Sequence, residues 1–320
     1  MGFNIHKIKV GIDYVSVSSG DRRRLHFDPK TIGDPYKYLG MKPTKDTGER
    51  KIYETFHEYK HKKTGKKLHI FTQRPKSYYY PPNLKLWFFS SWENNLRYEE
   101  VIDVMNTLTD KYNIPFNLSG YHVAIDLFSD ADHNHIDDMV KWMKSGRHYD
   151  PKESYSGTYY LHLEVSEFGL CVYNKKQQLL KNKELSDGSI KALENCNVTR
   201  IESRFFNAVE ITTLLELAVH CFIDLIPTHV KFLMPDNTKL IKHGLKPHQY
   251  QNIGLKALRK QLKRKGVKYN LFYYTKENTH LTNMVREALE QYRWCVSPDD
   301  HPILQPKISI RPQNIKFIKH

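Results

Sequence analysis

The chain has 320 residues, 39% apolar and 27% charged, enough apolar side chain to bury a core and too much for a disordered segment. Lysine and arginine number 50 against 35 aspartate and glutamate, and the resulting formal charge of +15 points to a polyanionic partner, nucleic acid first. The chain holds no apolar run of about 18 residues to span a membrane, and MGFNIHKIKVG lacks the apolar stretch of a signal peptide, so a cytoplasmic setting away from the membrane is expected.

In chain order, KIKVGIDYVSVS opens a strand-rich part. KIYETFHEYKHKKTGKKLHIFTQR then reads as two alternating runs about a Lys63-Thr64-Gly65-Lys66 turn, which predicts a hairpin. NLKLWFFSSW (83–92) is a further strand. In YEEVIDVMNTLTDKYNI (98–114), Val101, Ile102, Met105, Leu108 and Tyr112 recur at helical spacing. YHVAIDLFSD (121–130) is a strand, a short helix is expected from His135 to Lys144, and 145–157 reads as a loop. GTYYLHLEVSEFGLCVYNKK (157–176) is a hairpin, followed by a polar mixed stretch and then the strand NVTRIESRFF (197–206). EITTLLELAVHCFIDLIP (210–227) is a helix that Pro227 ends. Beyond it come a strongly basic helix within 243–269 and an amphipathic one, HLTNMVREALEQYRW (280–294). The expectation is an α+β fold, a twisted and mainly antiparallel sheet with packed helices and a basic helical C-terminal part. Three regions are expected: a strand-rich part (1–115), a catalytic core (116–227) and the basic helical part (228–320). The four cysteines form no CxxC pair, and Cys171 and Cys196, beside strand patterns, read as reduced core thiols.

Alternation places Asp126 with His122 and Ala124, away from Val123, Ile125 and Leu127. It groups Arg200, Glu202 and Arg204, and sets Tyr173 opposite Leu170 and Val172. If these strands are neighbours, one sheet face gathers all of these groups. Asp126 and Glu202 suit Mg²⁺ or Mn²⁺, with Asp130 a more distant contributor, because these ions take oxygen ligands from few carboxylates plus substrate phosphate. A tyrosine hydroxyl, with a reference pKa of about 10, is a weak nucleophile, so Lys175 or the metal must favour phenolate in the transition state. Attack by Tyr173 on a phosphodiester leaves a phosphotyrosine link that keeps the energy of the broken bond. Arg200, Arg204 and Lys176 are candidate phosphate contacts. A tyrosine at a strand end is commonly an amphipathic half-buried residue, and an Arg-Glu-Arg face is commonly a cross-strand ion network, so spacing alone leaves both readings open.

The run VYNKKQQ, with TRIE 26 residues after its tyrosine and an Asp126-x-x-x-Asp130 pair 47 residues before it, resembles the rolling-circle replication initiators of small staphylococcal plasmids. It is similar also to the nicking relaxases of related integrative elements and, more loosely, to the filamentous-phage initiator endonuclease. The resemblance implies that Tyr173 is the nucleophile of a Tyr-x-Lys element with Lys175, that Asp126 with Asp130 supplies a metal carboxylate, and that Arg200 and Glu202 form an R-x-E strand. Thr158 and Tyr160 match the family's Thr-x-Tyr. It further implies nicking of one strand at a replication origin, at a single-stranded or hairpin nick site, a 5′-phosphotyrosyl intermediate, a homodimer, and a host helicase and polymerase as partners. The chain departs from the pattern at Val123-Ala124, at His162-Leu163-Glu164 and at Cys171, where the family carries arginine-bearing motifs. His162-Leu163-Glu164 before Tyr173 superficially resembles the other nickase superfamily, but the second histidine is missing.

DADHNHIDD (130–138) fails as a calcium loop, having His135 and Lys141 where Gly and Glu are required. Tyr78-Tyr79-Tyr80-Pro-Pro is either a base-stacking platform or a turn-packing cluster. KALRKQLKRKG (256–266) carries Lys256, Arg259, Lys260, Lys263 and Arg264, which would lie along phosphates or enter a groove. Two other functions stay open: a DNA-binding replication or transcription regulator without catalysis, and a metal-dependent nuclease that uses water.

Overall fold

A computed structural model of the chain describes residues 5–20, 25–44, 53, 55–72, 83–130, 143–144, 152–155, 158–165, 168–182, 187–206, 213–220, 222, 231–249, 255–267 and 271–294. The alternating runs become strands β1 (Ile5–Ser19), β2 (Tyr36–Pro43), β3 (Thr55–His61), β4 (Lys67–Thr72) and β5 (Leu84–Phe89), followed by helix α1 (Tyr98–Tyr112). Next come β6 (Phe116–Asp130), β7 (Met143–Lys144), β8 (Lys152–Tyr155), β9 (Thr158–Val165) and β10 (Phe168–Asn174). Helices α2 (Lys175–Asn182) and α3 (Asp187–Leu193) precede β11 (Cys196–Phe206) and α4 (Leu214–Val219). The described C-terminal elements are β12 (Lys231–Pro235), α5 (Asn237–Lys242), α6 (Leu255–Arg264), β13 (Thr275–Glu277) and α7 (Thr279–Gln291).

The fold is α+β. Ten strands form one sheet in the order β2-β3-β4-β5-β1-β6-β11-β10-β9-β8, and a second sheet of three runs β13-β12-β7. Each neighbouring pair is antiparallel. The long β1–β6 pair, from Ile5↔Ser129 to Ser19↔Phe116, joins the β2–β5 meander to the strands that carry the chemical motifs. At the β3–β4 hairpin Gly65 turns the chain with φ of 70°, as the Lys-Thr-Gly-Lys centre predicts.

One face of the large sheet is apolar. Val10, Ile12, Val123, Ile125, Val172 and Ile201 from its central strands pack with Val101, Met105 and Leu108 of α1 and with Leu281, Val285 and Leu289 of α7. Burying each such side chain contributes about 1.5–3 kcal/mol. Helix α1 ends where Asn113 turns left-handed, φ 53°, and its N–H returns to the Thr109 carbonyl at 2.7 Å.

Several elements differ from the pattern-based expectation. The polar stretch after β10 holds α2 and α3 because Leu179 and Leu193 find Phe128, Cys196 and Val198 on the sheet's opposite face. Met143–Lys144, expected to close a helix, is instead a strand paired with Lys231 and Phe232, so a ladder partner distant in sequence overrides local periodicity. The remainder of that predicted helix, 135–142, lies outside the described residues, as does Tyr78–Tyr80. Of the helix expected over 210–227, the described part is Leu214–Val219, opened by a Thr213/Glu216 capping box. Helix α6 buries Leu258 and Leu262 with Leu240, Leu245 and Tyr274, which turns its basic side outward. Among the described residues no helix is long and apolar enough to cross a membrane.

Candidate active site

The core-facing residues of β1 are Val10, Ile12, Val15 and Val17, with a step of three where alternation demands two. A bulge between Ile12 and Tyr14 absorbs the extra residue. Asp13 and Tyr14 therefore both reach the polar face, where the Tyr14 ring lies 4.4 Å from that of His122.

On β11, Arg200, Glu202 and Arg204 share this face. Glu202 stands opposite Ala124 of β6 and Cys171 of β10. Both neighbours are small, so longer side chains one pleat away lean diagonally onto the carboxylate. Tyr173 donates its hydroxyl to Glu202 Oε2 at 2.8 Å, Arg204 Nε donates to Oε1 at 2.8 Å, and His122 Nδ1 lies 3.0 Å from the same oxygen. Arg204 also sits 6.0 Å from the Tyr160 ring centroid. The departure from the family pattern at Cys171 thus leaves the room that Glu202 and its partners fill. Its own thiol is buried and pushed up, hence unreactive.

A second network lies beside the first. Arg200 donates from Nε to Asp126 Oδ1 at 2.6 Å and from Nη2 to Oδ2 at 2.8 Å. Its Nη1 ion-pairs with Asp13 Oδ1 at 2.7 Å without hydrogen-bond alignment, and that oxygen accepts from the Ser90 hydroxyl at 2.5 Å. Asp126 and Arg200 are only 2% and 5% exposed, so neither can shed its partner into water.

These contacts set the charges. Burial would lift the Glu202 carboxyl, but His122, Arg204 and Arg200 outweigh it and hold Glu202 well below the usual carboxylate range. Burial likewise opposes the ionised Asp13, and Arg200 reverses the balance. Tyr173 is pushed well up by burial and then by the Glu202 charge, so it is a neutral phenol at pH 7. Burial and the Arg200 charge push Lys175 down. Its Nζ donates to Gln178 Oε1 at 2.8 Å and lies 5.9 Å from the centre of the Tyr173 ring.

A cleft of about 750 Å³ opens over the first network, lined by Asp13, His122, Tyr173, Lys175, Glu202 and Arg204 among others. Tyr173, Lys175, Glu202 and Arg204 are thereby brought together. Asp126 and Arg200 are next to them in the sheet but do not line this cleft. Asp130 is four residues further along β6, about 13 Å at strand rise, with His6 Nδ1 at 3.6 Å. Lys176 donates to the Cys196 carbonyl at 3.0 Å and the Glu194 carbonyl at 3.3 Å, tying α2 to β11. Arg259, Lys260, Lys263 and Arg264 are exposed on α6, away from the cleft; Lys256 is in the same helix, its side chain outside those described. Cys171 and Cys196 are free, buried thiols.

Among the cleft residues that escaped the motif reading are Asp13 and His122. The break in the apolar frame of VGIDYVSVS, from Ile12 to Val15, is the signal that would have flagged Asp13. For His122 the signal is its face shared with Asp126. Among the described residues no three His, Cys, Asp or Glu side chains form a metal cage. The carboxylates that reach the cleft are Glu202 and Asp13, and Asp13 Oδ2 takes no bond among the described residues.

No protein-family model matches the chain, and no curated protein sequence does. Among solved structures, the chain is similar to a rolling circle replication initiator protein from Geobacillus stearothermophilus. The identity is 11% and the TM-score 0.38, over 82% of this chain and 98% of that one.

Proposed function

We propose that this chain is a replication initiator that nicks one DNA strand through Tyr173 and holds the 5′ end as a phosphotyrosyl link, in rolling-circle replication. The observation that carries the reading is the Tyr173 hydroxyl donating to the buried Glu202 carboxylate at 2.8 Å, beside Arg204 and Lys175 in one cleft. A merely structural tyrosine has no need of a carboxylate that is itself oriented by two further side chains.

In the nicking step the Tyr173 oxygen attacks phosphorus, the bond from phosphorus to the 3′ oxygen breaks, and that oxygen leaves with the electron pair and takes a proton from solvent to become a 3′-hydroxyl. The phenolic proton passes to Glu202 Oε2. Because Glu202 is held low it is a weak base at rest, so the proton moves only as the new bond forms. Arg204 and Lys175 meet the phosphate oxygens. The Asp126–Arg200 pair positions the β6–β11 register beneath them. Were Mg²⁺ or Mn²⁺ to bind, Asp13 and Glu202, the carboxylates lining the cleft, would hold it, and it would supply positive charge at the scissile phosphate. The freed 3′-hydroxyl is the end a host polymerase extends.

The test is incubation with supercoiled DNA carrying the cognate origin and Mn²⁺, followed by denaturing electrophoresis. A covalent protein–DNA adduct that is lost in Tyr173→Phe supports the reading. An adduct that survives the substitution overturns the nucleophile. Cleavage without adduct points to water, and binding without cleavage to a regulator.

A further inference from the structure

The β1 bulge sets Ile12 opposite Val123 and Tyr14 opposite His122, with Asp13 the extra residue between them. A bulge interrupts the ladder, so its backbone groups need partners from elsewhere. Two come from distant parts of the chain. The Asp13 carbonyl accepts from the Ser90 N–H at 2.9 Å, and the Ile12 N–H donates to the Tyr292 hydroxyl, also at 2.9 Å, across 280 residues. Tyr292 caps the C-terminal end of α7, its own N–H returning to the Leu289 carbonyl at 3.3 Å. Its ring packs against the core beside Phe222, with 6.4 Å between centres. Two residues on, the buried Trp294 donates its Nε1–H to the Leu96 carbonyl at 2.9 Å and meets Tyr98 edge-on. The phenol ring is thus held in place without help from its hydroxyl. Burial pushes that hydroxyl up to about 12, so it stays neutral at pH 7.

An aromatic ring at this place fills the core whether or not it carries a hydroxyl, and phenylalanine would serve. The hydroxyl is spent instead on the amide that opens the bulge. With the bulge held, Asp13 reaches Arg200 and the cleft, while Tyr14 packs on His122, the partner of Glu202, with ring centres 4.4 Å apart. Were the bulge to relax, strict alternation would carry one of the two to the apolar face: Tyr14 if the frame of Ile12 prevailed, Asp13 if that of Val15 did. We propose that Tyr292 is a positioning residue, its hydroxyl holding the β1 bulge in the register that presents Asp13 and Tyr14 together to the Tyr173 cleft. What the cleft then does rests on the nicking reading; the bond that holds the bulge does not.

The test uses the full-length protein and Tyr292→Phe, which removes the hydroxyl and keeps the ring. Tyr112→Phe is the control, because that hydroxyl accepts the Asp28 N–H at 2.9 Å, the same chemistry away from the cleft. Amide hydrogen exchange followed by NMR should show Ile12 exchanging about 2- to 12-fold faster relative to Ile125 of β6 in Tyr292→Phe, the range for one lost hydrogen bond. In the adduct assay the Mn²⁺ concentration for half-maximal adduct should rise by about the same factor, with a smaller change in rate at saturating Mn²⁺. Tyr112→Phe should move neither, and Tyr292→Phe should add nothing in an Asp13→Asn background. An unchanged ratio of Ile12 to Ile125 exchange overturns the inference, as does an equal shift from Tyr112→Phe or a full additional shift on Asp13→Asn. Faster Ile12 exchange with unaltered adduct formation overturns the positioning role and leaves the nicking reading standing. A wild type that forms no adduct sinks the nicking reading, and the Ile12 exchange rate alone then decides whether Tyr292 holds the bulge.

Discussion

Asp126 and Glu202 stand on adjacent strands of one sheet face, and the motif reading treats them alike, yet they meet opposite surroundings. Asp126 closes on Arg200 through two hydrogen bonds and is sealed from the cleft. Glu202 receives Tyr173, His122 and Arg204 and lines the cleft. The difference is made by the residues opposite each. An arginine directly across from Asp126 can satisfy it completely, whereas Ala124 and Cys171 across from Glu202 cannot, so its partners arrive diagonally from groups that themselves face the cleft. An acidic residue on the right face is therefore available for chemistry only where its immediate cross-strand neighbours leave it unspent.

That contrast is open to attack in order of expected effect. Glu202→Gln should lower adduct formation by about 10²- to 10⁴-fold in a single-turnover gel assay. Asp126→Ala should act first on stability, costing about 3–5 kcal/mol in urea unfolding because the buried Arg200 loses both hydrogen bonds to Asp126 and one of its two counter-charges, Asp13 remaining. The double variant Asp126→Leu with Arg200→Met should recover part of that loss, since it removes both charges together. Recovery of nothing would mean that depriving Asp13 of Arg200 costs as much as the pair itself.

Asp13→Asn should raise the Mn²⁺ concentration for half-maximal adduct more than Asp126→Asn does. The reverse order would return the metal to Asp126 and undo the contrast. A smaller effect concerns acid. Glu202 and Asp13 are both held below their ordinary values. Each therefore contributes stability that is present above its unfolded pKa, about 4.3 and 3.9, and is lost as the pH falls through the folded one. Urea midpoints should decline below about pH 4, less steeply in Glu202→Gln. Smallest of all, Arg259→Ala on the exposed side of α6 should change stability by no more than about 0.5 kcal/mol.

Much of this was legible beforehand because sheet chemistry follows a period of two. The hairpin about Gly65, α1, α7, the strands β6, β10 and β11, and the common polar face of Tyr173, Glu202 and Arg204 are all readable from alternation and turn residues. The helices α2 and α3 were not, since their apolar residues are few and gain their value only from Phe128 and Val198 on the sheet. Nor was strand β7, two residues whose partner lies on β12.

Alternation and spacing by themselves determined which residues share a face and which residue types are at hand: a tyrosine, two arginines, carboxylates and a lysine-rich hairpin. Only the tertiary structure decided how those groups are spent. Pairing Arg200 with Asp126 and Asp13, freeing Glu202 for Tyr173, and turning Asp13 toward the cleft through a bulge all depend on strand order and register. Those are set by contacts distant along the chain, 29 residues for Tyr173 to Glu202, 74 for Asp126 to Arg200 and more than a hundred for Asp13 to Arg200, and a local pattern carries no record of them.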